Sequence, residues 1–379
     1  MRIAFVTTGD IARIATSKRA FGMAGPLSKL GYQVGLIAQD TVNNRERREI
    51  ECPSADGLWF EGGSLLHEIK AKQRLIANFA PDIVYVCSFG ARNLIVPFRS
   101  YKKAIYLVEH SELLSAIKGV SIAHYAKAKI FEFASPYWFD GQVCASQYLK
   151  NYFAQAAKNL SDRAAVLYLP YAYSDEQLTP VPADVEELLL QYEGKVKIVY
   201  MGTLAANYGI LDILEAMHVL KNKGPDFRCI VLGDGRHAQM ARERAEALGV
   251  ADIVDFKGYV PDRKLPAYLS IADIFVAPIF NTTQDIARCP SKLYMYSAYN
   301  VPIVTSPFGE AKELLGENPF YFQPGNSLSM ADALQRAAER TLDWSPSWVA
   351  AEQSWMERSK VFVAWVKDCF GDRFHWGAS

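Results

Sequence analysis

Five short stretches of this 379-residue sequence place chemistry-bearing residues beside glycines or at the start of a helical pattern. Gly202 directly follows an apolar segment and opens the run to Gly209. Glycine there lets backbone N–H groups approach a phosphate, and a following helix N-terminus adds a favourable dipole. A plain tight turn would need the same glycine. Gly233-Asp234-Gly235 offers a second turn of this kind, with Asp234 as a helix N-cap in the blander version. Cys289-Pro290-Ser291-Lys292-Leu293-Tyr294 opens a third helix. Ser291 can cap it, but Lys292 in the first turn opposes the dipole. Such a lysine either holds an anion or is simply solvated. Glu109-His110-Ser111 follows a strand pattern, and a histidine there can donate to a hydroxyl or a phosphate, or bond within its own loop. Phe308-Gly309-Glu310 puts a carboxylate at a helix start, where dipole stabilisation alone would explain it.

The elements that must position these residues alternate between short apolar runs and longer helical patterns. Strand-like runs in the first half are Ile3–Thr7, Val34–Ala38, Ile83–Cys87, Ile105–Val108, Gln142–Ala145 and Ala165–Leu169. Helical patterns at Lys18–Leu30, Leu65–Phe79, His124–Trp138 and Gln147–Ala157 lie between them. Continuous apolar strands alternating with helices predict an α/β fold with a parallel sheet covered on both faces. The order restarts at Lys197–Met201 and runs through strands Phe227–Leu232, Ile253–Phe256, Ile274–Pro278 and Ile303–Thr305 to a helix at Leu328–Arg340. That is a second doubly wound unit. Open parallel sheets bind ligands at the carboxyl ends of their strands, where the stretches above fall. Pro170–Pro182 reads as a linker. The tail, Ser347–Phe370, carries Trp355, Phe362, Trp365 and Val366 at helical spacing and needs a partner surface. The expected domains are residues 1–178, 179–345 and the tail 346–379.

Lys plus Arg and Asp plus Glu number 41 each, so the net charge is zero and a general polyanion binder is excluded; no nucleic-acid partner is expected. None of the six cysteines is spaced like a metal knuckle or a redox pair, which points to a reducing cytoplasm and to no metal. Met1–Thr8 reads as a strand, not a signal peptide, and no apolar run is long enough to span a membrane. Neither Gly9 nor Gly202 opens a GxGxxG followed by an acid about twenty residues on, which argues against a dinucleotide-dependent dehydrogenase.

The Gly-Asp-Gly turn, then FKGYVPDRKLPAYLSIADIFVAPI, PSKLYMYSAYNVPIVTSPFGEAKELL and FYFQPGNS, resemble in order and spacing the retaining GT-B glycosyltransferases of family four, the group 1 glycosyl transferases. A looser fit in MRIAFVTTG, FAPDIVYVCS, YLVEHSE and FDGQVCASQYLKNYF extends the resemblance over nearly the whole chain. The resemblance implies two Rossmann-like domains, acceptor side first and donor side second, with a C-terminal helix crossing back to the first. It implies metal-free, retaining transfer from a UDP-linked sugar to a hydroxyl of a saccharide or lipid-linked saccharide, in polysaccharide or glycoconjugate biosynthesis. The enzyme would be cytoplasmic, in peripheral contact with the inner face of the membrane. Carried over, His110 lies beside the transferred sugar as the catalytic residue, and Gly9 lies near the donor phosphate. Gly202 and Thr203 start the phosphate loop. Gly233, Asp234 and Gly235 line the nucleotide pocket, Lys292 and Leu293 face the diphosphate, and Glu310 lies near the donor. Three positions depart from the family pattern: Thr203 for an arginine, Tyr208 for a lysine and Met295 for the ribose-binding glutamate. They motivate an alternative, a non-catalytic nucleotide-sugar-binding protein of the same fold that partners or regulates an active transferase.

Overall fold

The computed structural model describes residues 1–12, 17–95, 101–158, 165–174, 178–205, 208–339 and 345–373. The chain divides into two compact units. One is Met1–Ser174 with Ala287–Cys289 and Ser354–Ser379; the other is Asp175–Ile286 with Pro290–Gln353. The sequence expectation drew its lines at 178/179 and 345/346 and contained no three-residue excursion.

The first unit runs β1 (Arg2–Val6), α1 (Lys18–Lys29), β2 (Gln33–Gln39), α2 (Val42–Glu51), β3 (Asp56–Phe60), α3 (Leu65–Phe79), β4 (Ile83–Val86), β5 (Ile105–His110), α4 (Ile122–Trp138), β6 (Gly141–Cys144), α5 (Gln147–Lys158) and β7 (Ala165–Tyr168). Its seven strands pair in parallel in the order β3-β2-β1-β4-β5-β6-β7. The strand order reverses between β1 and β4, and the carboxyl ends of the strands at such a reversal are where open parallel sheets take their ligands. β4, β5 and β6 are buried along their whole length, as helices on both faces require. Two elements had no counterpart in the sequence reading. α2 is so polar that Asn44 is its one buried residue, and β3 is an edge strand that starts on a turn-like Asp-Gly.

The second unit runs α6 (Pro182–Gln191), β8 (Val196–Met201), α7 (Ile210–Leu220), β9 (Phe227–Leu232), α8 (Ala238–Ala247), β10 (Val254–Gly258), α9 (Leu265–Ser270), β11 (Ile274–Ala277), α10 (Thr283–Ala287, its last residue counted with the first unit), α11 (Ser291–Ser297), β12 (Ile303–Thr305), α12 (Glu310–Leu315) and α13 (Ser327–Glu339). Five parallel strands take the order β10-β9-β8-β11-β12, reversing between β8 and β11. One face of the sheet is covered through Ile213, Met217 and Leu334. The other is covered through Leu188, Leu293 and Tyr296, the last stacked on Phe275 with centroids 4.1 Å apart. Neither α6 nor α10 was foreseen.

The chain then returns to the first unit. α14 (Trp355–Phe370) starts at Ser354, whose hydroxyl accepts from the Glu357 amide, and packs on α1 and β7. Trp355, Phe362 and Val366 are buried there, so the apolar tail pattern finds the partner it needs.

Candidate functional site

In the second unit the ends of β8 and β9 meet the first turn of α11. Gly202 (φ 151°) and Gly233 (φ 147°) hold backbone conformations that side chains with a Cβ rarely adopt. A Cβ on Gly233 would lie 1.9 Å from the Gly202 carbonyl oxygen, so the two strand-end loops touch backbone to backbone. A Cβ on Gly202 would lie 2.8 Å from Lys292 Nζ. The ammonium itself sits 4.2 Å from the Tyr200 ring centroid and 5.8 Å from that of Tyr208. Attraction to the ring faces holds this cation at the strand ends, beside the reversal of strand order. A positive charge so placed meets an anion with little rotamer freedom left to lose.

Glycine's contribution here differs from the phosphate cradle expected of it. The Gly202 amide donates to Leu232 O at 2.9 Å, the Gly233 amide to Gly258 O at 2.8 Å and the Gly235 amide to Asp234 Oδ1 at 2.7 Å. These N–H groups are already committed, so the glycines serve close approach. Asp234 is not a helix cap, because α8 starts at Ala238 with His237 before it. Thr203 is exposed, and its carbonyl accepts from Tyr200 Oη at 3.3 Å. Leu293 is fully buried and anchors α11 in the core. Glu310 opens α12 but is also buried, with Tyr294 Oη donating to its Oε2 at 2.8 Å. It thereby ties α12 to α11 and to the turn that carries Lys292. Met295 packs against the same core as Leu293.

In the first unit Gly9 (φ 64°) follows β1. Asn44 of α2 donates to Gly9 O at 3.0 Å and accepts from the Ile11 amide at 2.9 Å, which pins this loop. His110 is the last residue of β5, in register with Cys144, and not a loop residue beyond it. It is 8% exposed, and its ring stacks on Phe153 with centroids 3.6 Å apart. Its Nε2 lies 2.8 Å from Gln142 Oε1 and 3.1 Å from Ser135 Oγ. Ser135 Oγ donates to the same Gln142 oxygen at 2.6 Å, and Gln142 Nε2 donates to Ser135 O at 3.3 Å. A carbonyl oxygen only accepts, so Nε2 carries the proton and Nδ1 is the acceptor of the neutral ring. The donor role expected for His110 therefore becomes an acceptor role. Burial pushes its pKa down to about 4, with Gln142 acting weakly the other way. His110 lines a pocket of about 30 Å3 with Phe89, Glu112, Phe131 and Glu132. Burial also pushes the Glu112 carboxyl up, and Arg288 pulls it back.

The residue before His110 belongs to a network with no counterpart in the sequence reading. Arg19 Nε lies 3.1 Å from Glu109 Oε1, and both side chains are fully buried. Arg19 Nη2 also donates to Leu169 O at 2.6 Å, and its guanidinium sits 5.0 Å from the Tyr171 ring and 5.7 Å from that of Trp355. Burial opposes the charge, but Glu109 and the surrounding tyrosines hold Arg19 above the ordinary arginine value. The only signal in the sequence is an arginine inside the apolar stretch that continues Ala20-Phe21-Gly22-Met23-Ala24. Among the described residues, no three His, Cys, Asp or Glu side chains converge as a metal-ligating set.

Residues 186–343 match the family model described as glycosyl transferases group 1. Mannosylfructose-phosphate synthase from Agrobacterium fabrum is 30% identical over 125 residues, 30% of this chain and 27% of that protein. The GDP-mannose-dependent alpha-(1-6)-phosphatidylinositol monomannoside mannosyltransferase of Mycolicibacterium smegmatis is 27% identical over 173 residues, 44% of each chain. The match thus spans less than half the length of these relatives. Among solved structures, Anabaena HepE in complex with UDP and glucose superposes with a TM-score of 0.69 at 17% identity, covering 97% of this chain and 95% of that one. At that identity the likeness shows the fold, which is GT-B with two Rossmann-like units.

Proposed function

We propose that this chain is a glycosyltransferase that moves a sugar from a UDP-linked donor to a hydroxyl of a saccharide or lipid-linked saccharide, with retention at the anomeric carbon. The observation that carries this reading is Lys292, held by Tyr200 and seated against Gly202 where the second sheet reverses its strand order. As the bond from anomeric carbon to diphosphate oxygen breaks, negative charge grows on the leaving group. A positioned ammonium stabilises that charge more than it stabilises the intact donor. The acceptor oxygen attacks from the same face, and its proton passes to a leaving-phosphate oxygen, so the step asks for no protein base. Glu310 and Leu293 are positioning residues, the first through Tyr294 and the second through the core. His110, neutral with Nδ1 as acceptor, takes a hydrogen bond from a sugar hydroxyl. The match at residues 186–343 and the UDP complex of HepE support the donor side. The GDP-mannose-dependent relative makes guanine the competing base.

The test is a melting series with UDP, UDP-sugars, GDP and a nicotinamide dinucleotide. A ligand bound only by the folded state raises Tm, by about 2.7 kcal/mol of stability at a hundred times its Kd. UDP and its sugars should give the largest shift. No shift with any nucleoside diphosphate at millimolar concentration would refute the donor site, and a larger shift with GDP would replace the base. Thr203, Tyr208 and Met295 favour a second reading, binding without transfer. It predicts the same UDP shift with no consumption of donor alongside any saccharide acceptor.

A further inference from the structure

α11 carries Lys292 in its first turn, yet it has only seven residues and Pro290 before it offers no side-chain cap. A helix that short does not hold its own shape in water, so its place is set by what grips it. Two buried hydrogen bonds do so besides the contact of Tyr294 with Glu310. Tyr296 is fully buried, and its hydroxyl accepts from the Met201 amide at 2.7 Å. Trp348 Nε1 donates at 2.8 Å to Ser297 O, the carbonyl of the last residue of the helix. The neighbouring Ser347 hydroxyl donates at 2.7 Å to Leu315 O, so the same segment closes the C-terminal ends of α11 and α12.

The Tyr296 bond falls at the reversal of strand order. β8 runs to Met201 and β11 to Ala277, while the register between them ends with Val199 opposite Phe275. Lys197 faces β11, its carbonyl accepting from the Asp273 amide at 2.9 Å. Facing alternates along a strand, so after Val199 the next amide turned toward β11 is that of Met201. There the Tyr296 hydroxyl takes the place of a ladder carbonyl, while its ring stacks on Phe275 of β11. The phenol is a spacer between two strand ends where they part. Met201 is joined directly to Gly202, against which Lys292 is seated.

We infer, on the function proposed above, that Tyr296 is a positioning residue of the donor site: it sets the gap between Lys292 and Gly202 that a diphosphate must fit, and Trp348 fixes the far end of the same helix. A buried tyrosine hydroxyl bonded to the backbone is ordinary. This one differs in what it joins, since one side chain ties the strand end at Gly202 to the helix that carries the cation. Contacts of this kind hold a charged group to the tolerance that anion recognition requires.

The experiment titrates the full chain calorimetrically with UDP and with inorganic pyrophosphate, well below Tm. Wild type is compared with Tyr296→Phe, Trp348→Phe and Tyr299→Phe. Tyr296→Phe keeps the ring on Phe275 and removes only the acceptor oxygen. Tyr299 also meets Phe275, but its buried hydroxyl has no hydrogen-bond partner among the described residues, which makes it the control. Tyr296→Phe should weaken both ligands about fivefold, the effect of one hydrogen bond lost, and Trp348→Phe should weaken them in the same direction. Tyr299→Phe should bind as wild type does. The deciding measurement adds Lys292→Ala to Tyr296→Phe. A residue that acts through Lys292 has nothing left to position once the ammonium is gone, so the double variant should bind no worse than Lys292→Ala alone. Unchanged affinity in Tyr296→Phe overturns the inference. So does an undiminished fivefold loss in the Lys292→Ala background, which makes the hydroxyl a part of the fold alone. If Tyr296→Phe does not fold, Trp348→Phe with and without Lys292→Ala carries the same comparison. A wild type that binds neither UDP nor pyrophosphate refutes the donor site and this role with it. Binding of both, with Tyr296→Phe unaffected, refutes the role and leaves the donor site standing.

Discussion

Lys292 is the side chain whose removal separates binding from folding most cleanly. Lys292→Ala should weaken UDP binding by about 1.5–3 kcal/mol, roughly 10- to 150-fold, because a charge-assisted contact is lost. Leu293, Tyr294 and Tyr296 still anchor α11, so Tm without ligand should change little. Calorimetric titration decides it, and unchanged affinity would leave Lys292 without a role at the diphosphate. The sequence exposed this residue because a cation in a helix's first turn is poorly placed for stability. It could not show Tyr200 beneath the ammonium, since that contact depends on how β8 and α11 meet. His110 was legible as a position and misread as a chemistry, because Gln142 reaches it from the neighbouring strand β6 and Ser135 from α4, contacts that exist only once the chain has folded. Its depressed pKa has a measurable sign. The unfolded chain binds a proton near pH 6.5 and the folded one near 4, so stability present above pH 6.5 is lost as the pH falls toward 4, by roughly 3 kcal/mol. Urea melts across that interval should show a shallower pH dependence in His110→Phe than in wild type. Identical dependence would place the titration elsewhere. His110→Ala should also melt lower, by about 2–4 kcal/mol, since it empties the space over Phe153. Turnover is therefore compared per folded molecule.

At the scale of elements, periodicity and apolar runs located the central strands of both sheets to within about two residues, because buried parallel strands leave little room for polar residues. What escaped lacked that constraint. α2 buries only Asn44, β3 sits at an edge, and α6 keeps Leu189 and Leu190 in solvent while burying Leu188. The contact between α1 and α14 gives a prediction that runs against the usual rule. Alanine in a helix interior is ordinarily favoured over glycine by about 0.5–1 kcal/mol. At Gly22, however, a Cβ would stand 2.4 Å from the Trp355 indole. Gly22→Ala should therefore destabilise by about 1–3 kcal/mol, as overpacking does, and should raise proteolytic cleavage in α14 first. A variant that melts as high as wild type would mean that Trp355 is not held against α1.

At the scale of the whole molecule, the sequence showed two doubly wound units and a tail that needed a surface. It did not show the excursion of Ala287–Cys289, because three residues have no periodicity to read. There the Tyr171 amide donates to Cys289 Sγ at 3.3 Å and Ser146 Oγ donates to Ala287 O at 2.6 Å, contacts that close late in the chain. The first unit is thus assembled from both ends of the polypeptide. Synthesis runs from one end to the other, and that sets an order of events. When residue 353 leaves the ribosome, every segment of the second unit has been made, while the first still lacks the helix that covers Gly22, Arg19 and Tyr85. Chains truncated just before Ser354 and held on the ribosome by a linker that clears the exit tunnel should resist protease across the second unit and be cut within α1. Chains arrested after α14 has cleared the exit tunnel should resist throughout. The first half is translated first and finished last, so the aromatic surface awaiting Trp355 and Phe362 is what a chaperone would meet on the growing chain.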